Sequence, residues 1–324
     1  MRLCWNALAL AAALSVPAAN WAATCTAQGE LSPQDRAALA ETGGRLAQAV
    51  LQQDTSLLQN ALLPAESKEW SGIQGAIEQA APVVKGGQVQ IRNLYLLDAS
   101  TATATAETQF FCTNTSGTLT VTITMHALPP GRYAVVIADA AGAPLAGQLG
   151  LILAWDGTAW RLAGLSVHQG FFDGHDGIWY WSRARGFANV DPWSAWFSYD
   201  AARYLLIPVD FLSSPNLEKL QQEQAQIQGA PTAAFPYSLV AGDRTWKIDS
   251  VYLDPTLHQS DLAVVYESAG VTDPAAQRTE AIAVFSTLLK AQPGLRANFH
   301  GLWAYASKDG KQTPVIEMAM KDIP

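Results

Sequence analysis

Between Ala102 and Met125 the side chains alternate in character residue by residue. Ala106, Thr108, Phe110, Cys112, Leu119, Val121, Ile123 and Met125 share one side, while Thr103, Thr105, Glu107, Thr120, Thr122, Thr124 and His126 share the other. A period of two belongs to a pleated strand, and Asn114-Thr115-Ser116-Gly117 supplies the turn between two such runs. Pairing Thr113 with Thr118 sets Cys112 opposite Leu119, Phe110 opposite Val121, Thr108 opposite Ile123 and Ala106 opposite Met125. One face of this hairpin is apolar and the other polar, as a half-solvated antiparallel pair requires.

The flanking sequence supplies helices before the hairpin and strands after it. Ser32-Pro33-Gln34-Asp35 reads as a helix start, and Leu39, Gly43, Leu46 and Val50 recur at helical spacing. Asp54 caps a short helix ended by Pro64, and Ser71 to Val84 carries Ile73, Ile77 and Ala80 on one face. Arg132 to Ala138 is apolar on both sides and predicts a central strand. Leu149–Trp155 and Trp160–Leu165 predict a second hairpin around Asp156-Gly157, with Trp155 facing Trp160 and Leu153 facing Leu162. From Asp176 to about Gln228 the pattern is helical: Gly177 to Ala188, Pro192 to Leu206, then Leu217 to Ile227, with Gly229-Ala-Pro231 as a linker. The remainder reads strand, strand, helix, strand, strand, with the last hairpin turning at Asp309-Gly310. The fold class is therefore α+β: helices packed on a curved antiparallel sheet, a central helical hairpin and a C-terminal ββαββ layer.

Helices followed by antiparallel strands and closed by the Trp155-Asp-Gly-Thr-Ala-Trp160-Arg-Leu hairpin resemble the cone-shaped α+β fold of the NTF2-like superfamily, over about Leu31 to His168. The resemblance implies a cone interior, which catalytic members furnish with acid and base residues. The apolar hairpin face here offers no ionisable group, so the resemblance points to a non-catalytic module. Trp179, Ala195, Tyr199, Ala202 and Pro208 are similar to a degenerate tetratricopeptide unit, in a single copy that builds no solenoid.

Residues 1–22 have the order of a secretory signal: Arg2, the apolar run Ala7 to Val16, Pro17, then the small residues Ala18, Ala19, Ala22 and Ala23. The expected divisions are 1–22 signal peptide, 28–170 NTF2-like domain, 171–230 helical hairpin and linker, and 231–324 small α+β domain. The expected location is exported, periplasmic or extracellular, with no transmembrane helix after cleavage. Cleavage removes Cys4 and leaves Cys25 and Cys112 to form a disulfide in an oxidising compartment. Acylation of Cys25 as a lipid anchor is the other use of that thiol. A net charge of −8 without any basic run argues against nucleic acid.

Three groups of side chains are candidates for chemistry. His168, Asp173, His175 and Asp176 place imidazoles and carboxylates in one loop, where they could hold a metal or move protons. In the simpler reading Asp176 caps the helix starting at Gly177, Gly170 and Gly174 make turns, and there is no metal or cofactor. Glu107 and His126 lie diagonally on the polar hairpin face, within reach of a water-bridged pair. Trp179, Trp181, Trp193, Trp196 and Tyr199 crowd two helices, to pack between domains or to bind. The G-x-S-x-G, Walker A, H-E-x-x-H, C-x-x-C and G-x-G-x-x-G signatures are absent from the sequence. The expectation is an exported, non-enzymatic module that binds an envelope protein or a small apolar ligand. The rival is a hydrolase or isomerase, metal-dependent or not, working through the His168–Asp176 loop.

Overall fold

The structure, a computed structural model, describes residues 23–268, 270 and 273–324. Residues 1–22, where the sequence predicts a secretory signal, lie outside the described residues.

The N-terminal half has three layers. Its centre is an antiparallel sheet of β1 (Thr24–Ala27), β2 (Gln88–Asp98), β5 (Arg132–Ala141), β6 (Gln148–Trp155) and β7 (Trp160–His168), in the order β1-β2-β5-β6-β7. β5 is its middle strand, which is why Arg132 to Ala138 is apolar on both sides. On one face lie α1 (Pro33–Gln52), α2 (Thr55–Ala61) and α3 (Trp70–Val84). The Ser32 side chain accepts from the Asp35 amide to cap α1, and the Asp54 carboxylate caps α2 through Leu57. Leu39, Leu46 and Val50 of α1 bury against Leu94, Val136 and Leu151 of the sheet. Gly43 permits that approach, since a Cβ there would sit 2.7 Å from a Val136 methyl.

The hairpin of β3 (Ala106–Thr113) and β4 (Thr120–Leu128) covers the opposite face, burying Phe110, Cys112, Val121 and Ile123 against Leu97, Val135 and Ile137. Its register differs from the sequence expectation by two residues: Thr113 pairs with Thr120, Cys112 with Val121 and Phe110 with Ile123. The Asn114 carboxamide oxygen accepts from the Thr118 and Leu119 amides and holds a longer turn, which leaves Leu119 outside the ladder. A two-residue slip preserves the faces, so the apolar side still points inward. The strand also begins at Ala106, and a bulge between Ala106 and Thr108, with Ala127 at φ 49°, moves Glu107 against His126.

Cys25 on β1 and Cys112 on β3 form the disulfide, with their Cα atoms 5.1 Å apart. It staples the central sheet to the hairpin that covers it. The bonded sulfur is no longer available for acylation.

A short β8–β9 pair (Phe171–Phe172, His175–Asp176) leads into the helical hairpin of α4 (Gly177–Phe187) and α5 (Pro192–Leu206). β10 (Leu212–Ser213) then adds to β4, and α6 (Pro215–Ala225) packs on α5, starting two residues before the expected Leu217 because Ser214 caps it. The C-terminal layer contains β11 (Tyr237–Ala241), β12 (Arg244–Asp254), β13 (Asp261–Glu267), α7 (Pro274–Ala291), α8 (Pro293–Asn298), β14 (Gly301–Lys308) and β15 (Lys311–Ala319). The ββαββ order is present, with β13 and β14 parallel across the helical crossover. β11 is an additional edge strand; with Leu239 alone buried among its five residues, it gives no alternation to read. Among the described residues no helix is long and apolar enough to cross a membrane.

The disulfide closes a loop between positions 87 apart, for which chain entropy gives about 4.6 kcal/mol. Replacing both cysteines with serine should therefore lower urea-unfolding stability by roughly 2–5 kcal/mol. Equal unfolding midpoints for the oxidised protein and the double variant would show that the staple carries no stability.

Candidate functional site

The structure sends the four side chains of the His168–Asp176 loop in different directions. His168 ends β7 with its ring edge-on to Tyr204 at 5.8 Å, and its buried Nδ1 has no partner. Burial lowers its pKa, opposed by the Asp210 carboxylate. Asp173 occupies the left-handed position of a turn at φ 51° and accepts from the Ser260 hydroxyl and amide. The His175 ring stacks on Trp179, 3.7 Å between centroids. Asp176 accepts from the Trp179 amide at 2.8 Å and caps α4. No hydrogen bond or ion pair among the described residues joins any two of these four side chains. Among the described residues no group of three His, Cys, Asp or Glu side chains is placed to hold a metal.

What this loop does bring together is a polar seam between the two halves. Buried Gln169 donates to the Phe171 carbonyl and meets His258 Nδ1 at 2.7 Å. Beside Ser260, fully buried Asp261 bonds His300 Nδ1 at 2.8 Å and accepts from Trp303 Nε1 at 3.3 Å. Burial raises the Asp261 pKa, while the His300 hydrogen bond opposes it. Gln169, Ser260, Asp261 and His300 were not legible as a set, because Gln169–His258 spans 89 positions, Ser260–Asp173 87 and His300–Asp261 39. Glu107 and His126 make a direct 2.8 Å contact, yet both are well exposed, and such surface pairs contribute little.

The aromatic residues of α4 and α5 are mostly enclosed. Trp193 and Tyr199 are buried, Trp193 edge-on to Phe197, Phe235 and Tyr237, and half-buried Trp196 lies where two cores adjoin. Trp179 carries the Arg183 guanidinium over its ring at 4.7 Å. Trp181 Nε1 donates to Glu223 on α6 at 2.7 Å; Arg185 reaches the same carboxylate at 2.8 and 2.9 Å, and Tyr199 at 3.3 Å. Arg185 above all, then Trp181 and Tyr199, hold the Glu223 carboxyl down to about 2.

Where the hairpin meets the central sheet, a groove of 570 Å³ opens, walled by Tyr95, Val121, Ile137, Trp181, Leu206 and Leu217. Gly177 lets the start of α4 close on the end of α5, since a Cβ there would lie 2.6 Å from Leu206. Two apolar side chains stand out at the rim: Ile178 is 58% exposed and Leu119 41%. Arg92 and Gln148 lie at the passage into an adjoining hollow of 400 Å³, both bound to Asp139, at 3.5 and 2.9 Å. A concave, largely apolar surface with a few polar groups, here Arg92, Asn93, Gln148, Ser214 and Asn216, is suited to holding a small molecule. Arg92 is the one charged side chain lining the larger hollow among the described residues. The sequence marks Trp181 of this groove and puts Leu119 and Val121 on the apolar hairpin face; Leu206 at the end of α5, Pro208 and Leu217 read there only as helix boundaries or as part of the tetratricopeptide-like pattern, not as members of one wall.

Comparison with protein-family models, curated proteins and solved structures gives no match for this chain.

Because the folded Glu223 pKa lies below its ordinary 4.5, its contribution to stability is present above that value and lost as pH falls toward 2. Glu223→Gln should cost about 1–2 kcal/mol at neutral pH, with solvent screening of Arg185 included. The difference from wild type should shrink as urea melts are repeated between pH 4.5 and pH 2. A pH-independent difference would mean that the carboxylate's charge is not what anchors α6.

Proposed function

We propose that this chain is an exported, non-enzymatic binding protein that holds a small apolar molecule in the groove between the central sheet and the helical hairpin. The observation carrying this reading is the pair Ile178 and Leu119, exposed apolar side chains flanking an apolar hollow. Isolated surface leucines and isoleucines are ordinary; two of them lining one concave, largely apolar hollow are less so. Export to the periplasm or extracellular space is supported by the signal-like order of residues 1–22 and by the Cys25–Cys112 bond, which persists in oxidising compartments. The non-enzymatic part is supported by the lining, which offers Arg92 and Tyr95 but no carboxylate or imidazole within the larger hollow.

The test uses N-phenyl-1-naphthylamine, which fluoresces on entering an apolar site. The expected result is a saturable rise in fluorescence with wild-type protein. Ile178→Asp and Leu119→Asp, both at exposed positions, should weaken binding by about tenfold or more with no change in melting temperature. Unchanged affinity in both variants, or no saturable binding, would sink the proposal.

A further inference from the structure

A second hollow, of 820 Å³, lies on the C-terminal layer between β12, the end of β13 and the first turns of α7. Glu280 lies on its α7 side, with only 8% of its surface exposed. Its Oε2 accepts from the Ser268 hydroxyl at 3.0 Å, and no basic side chain among the described residues pairs with it. A carboxylate this enclosed is costly without a counter-cation. The Tyr266 hydroxyl, fully buried in the same core, has no partner of good hydrogen-bond geometry and faces the Glu280 carboxylate at a distance where a weak hydrogen bond to it still acts. Glu280 lies near enough to help burial raise the pKa of that phenol.

The β12 side of the hollow is mixed in charge, lined by Asp243, Arg244 and Lys247, and Asp243 makes no ion pair with Arg244. Lys247 is occupied by Glu267 at 3.4 Å and Asp249 at 3.6 Å. Arg244 is exposed and has no ion pair among the described residues. One hollow thus presents an enclosed carboxylate without a cation and a guanidinium without an anion, with Trp246 in the lining beside Arg244.

We infer that this hollow is a binding site for a short zwitterionic peptide, its terminal ammonium on Glu280 and its terminal carboxylate on Arg244. The ammonium supplies the missing cation and donates to Glu280 while accepting nothing; the carboxylate offers Arg244 a two-oxygen acceptor. The inference is independent of the apolar groove, which shares no lining residue with it.

Titration calorimetry of the whole protein with L-alanine, dialanine and trialanine tests it. Saturable binding of dialanine or trialanine is expected, weakened about tenfold or more by Glu280→Gln and by Arg244→Ala. N-acetyl-trialanine amide, which lacks both charges, should not bind. Circular dichroism establishes that each variant is folded; if Glu280→Gln is not, the exposed Arg244→Ala decides. No saturable heat up to about 10 mM peptide, equal binding of the blocked peptide, or wild-type affinity in the folded variants would overturn the inference. Binding of N-phenyl-1-naphthylamine should be unchanged in Arg244→Ala, so failure here leaves the groove reading standing and the reverse also holds.

Discussion

Trp193 and Phe197 project from α5 into the C-terminal core, where they meet Leu239, Trp246, Phe285 and Phe299. Tyr199, Ala195 and Ala202 of the same helix belong to a separate core with Phe172, Tyr180, Trp181 and Leu220. One amphipathic helix normally buries one stripe; this one is enclosed on two sides. Each large ring removed from water contributes on the order of 2 kcal/mol, so the helical hairpin is a structural joint more than a spacer. Arg183 bonds Asn298 of α8, and Asn298 donates to Ser194 of α5 at 2.9 Å, which fixes the joint to the C-terminal layer.

The groove and the seam both follow from that joint. With α5 fixed on its two aromatic sides, its end at Leu206 lies over the central sheet, and β10 is carried to the edge of β4. The exposed start of α4 then faces the turn of the β3–β4 hairpin, which leaves Ile178 and Leu119 uncovered at the groove rim. On the other side, the loop that enters α4 presents Gln169 and Asp173 to His258 and Ser260. A hydrogen-bonded seam of buried polar groups is specific because each group left unpaired would be costly. The loop offered as a catalytic candidate thus contributes Gln169 and Asp173 to the hydrogen bonds that join the two halves.

The elements were legible because each follows from short-range chemistry. Ser32, Asp54 and Asp176 mark helix starts, and the alternation through Phe110 and Cys112 marks the inward strand face. The Trp155–Trp160 register was correct because an Asp156-Gly157 turn leaves little choice of loop. The β3–β4 register was not, because the Asn114 side chain extends the turn by mimicking backbone, which periodicity does not reveal. The aromatic helices were identifiable as crowded, but crowding alone does not say what they crowd against. The seam and the groove were illegible for the same reason: their members come from segments far apart in sequence and meet only through the joint.

The central claim is that an apolar molecule is held where the joint meets the sheet. Amide hydrogen exchange of the full protein, with and without saturating N-phenyl-1-naphthylamine, tests it most directly. The account expects slowed exchange at residues 92–95, 119–121, 137, 148, 178–181 and 206–217, which line that groove, with little change elsewhere. Protection confined to other segments, such as 243–247, or no protection at all, would contradict it.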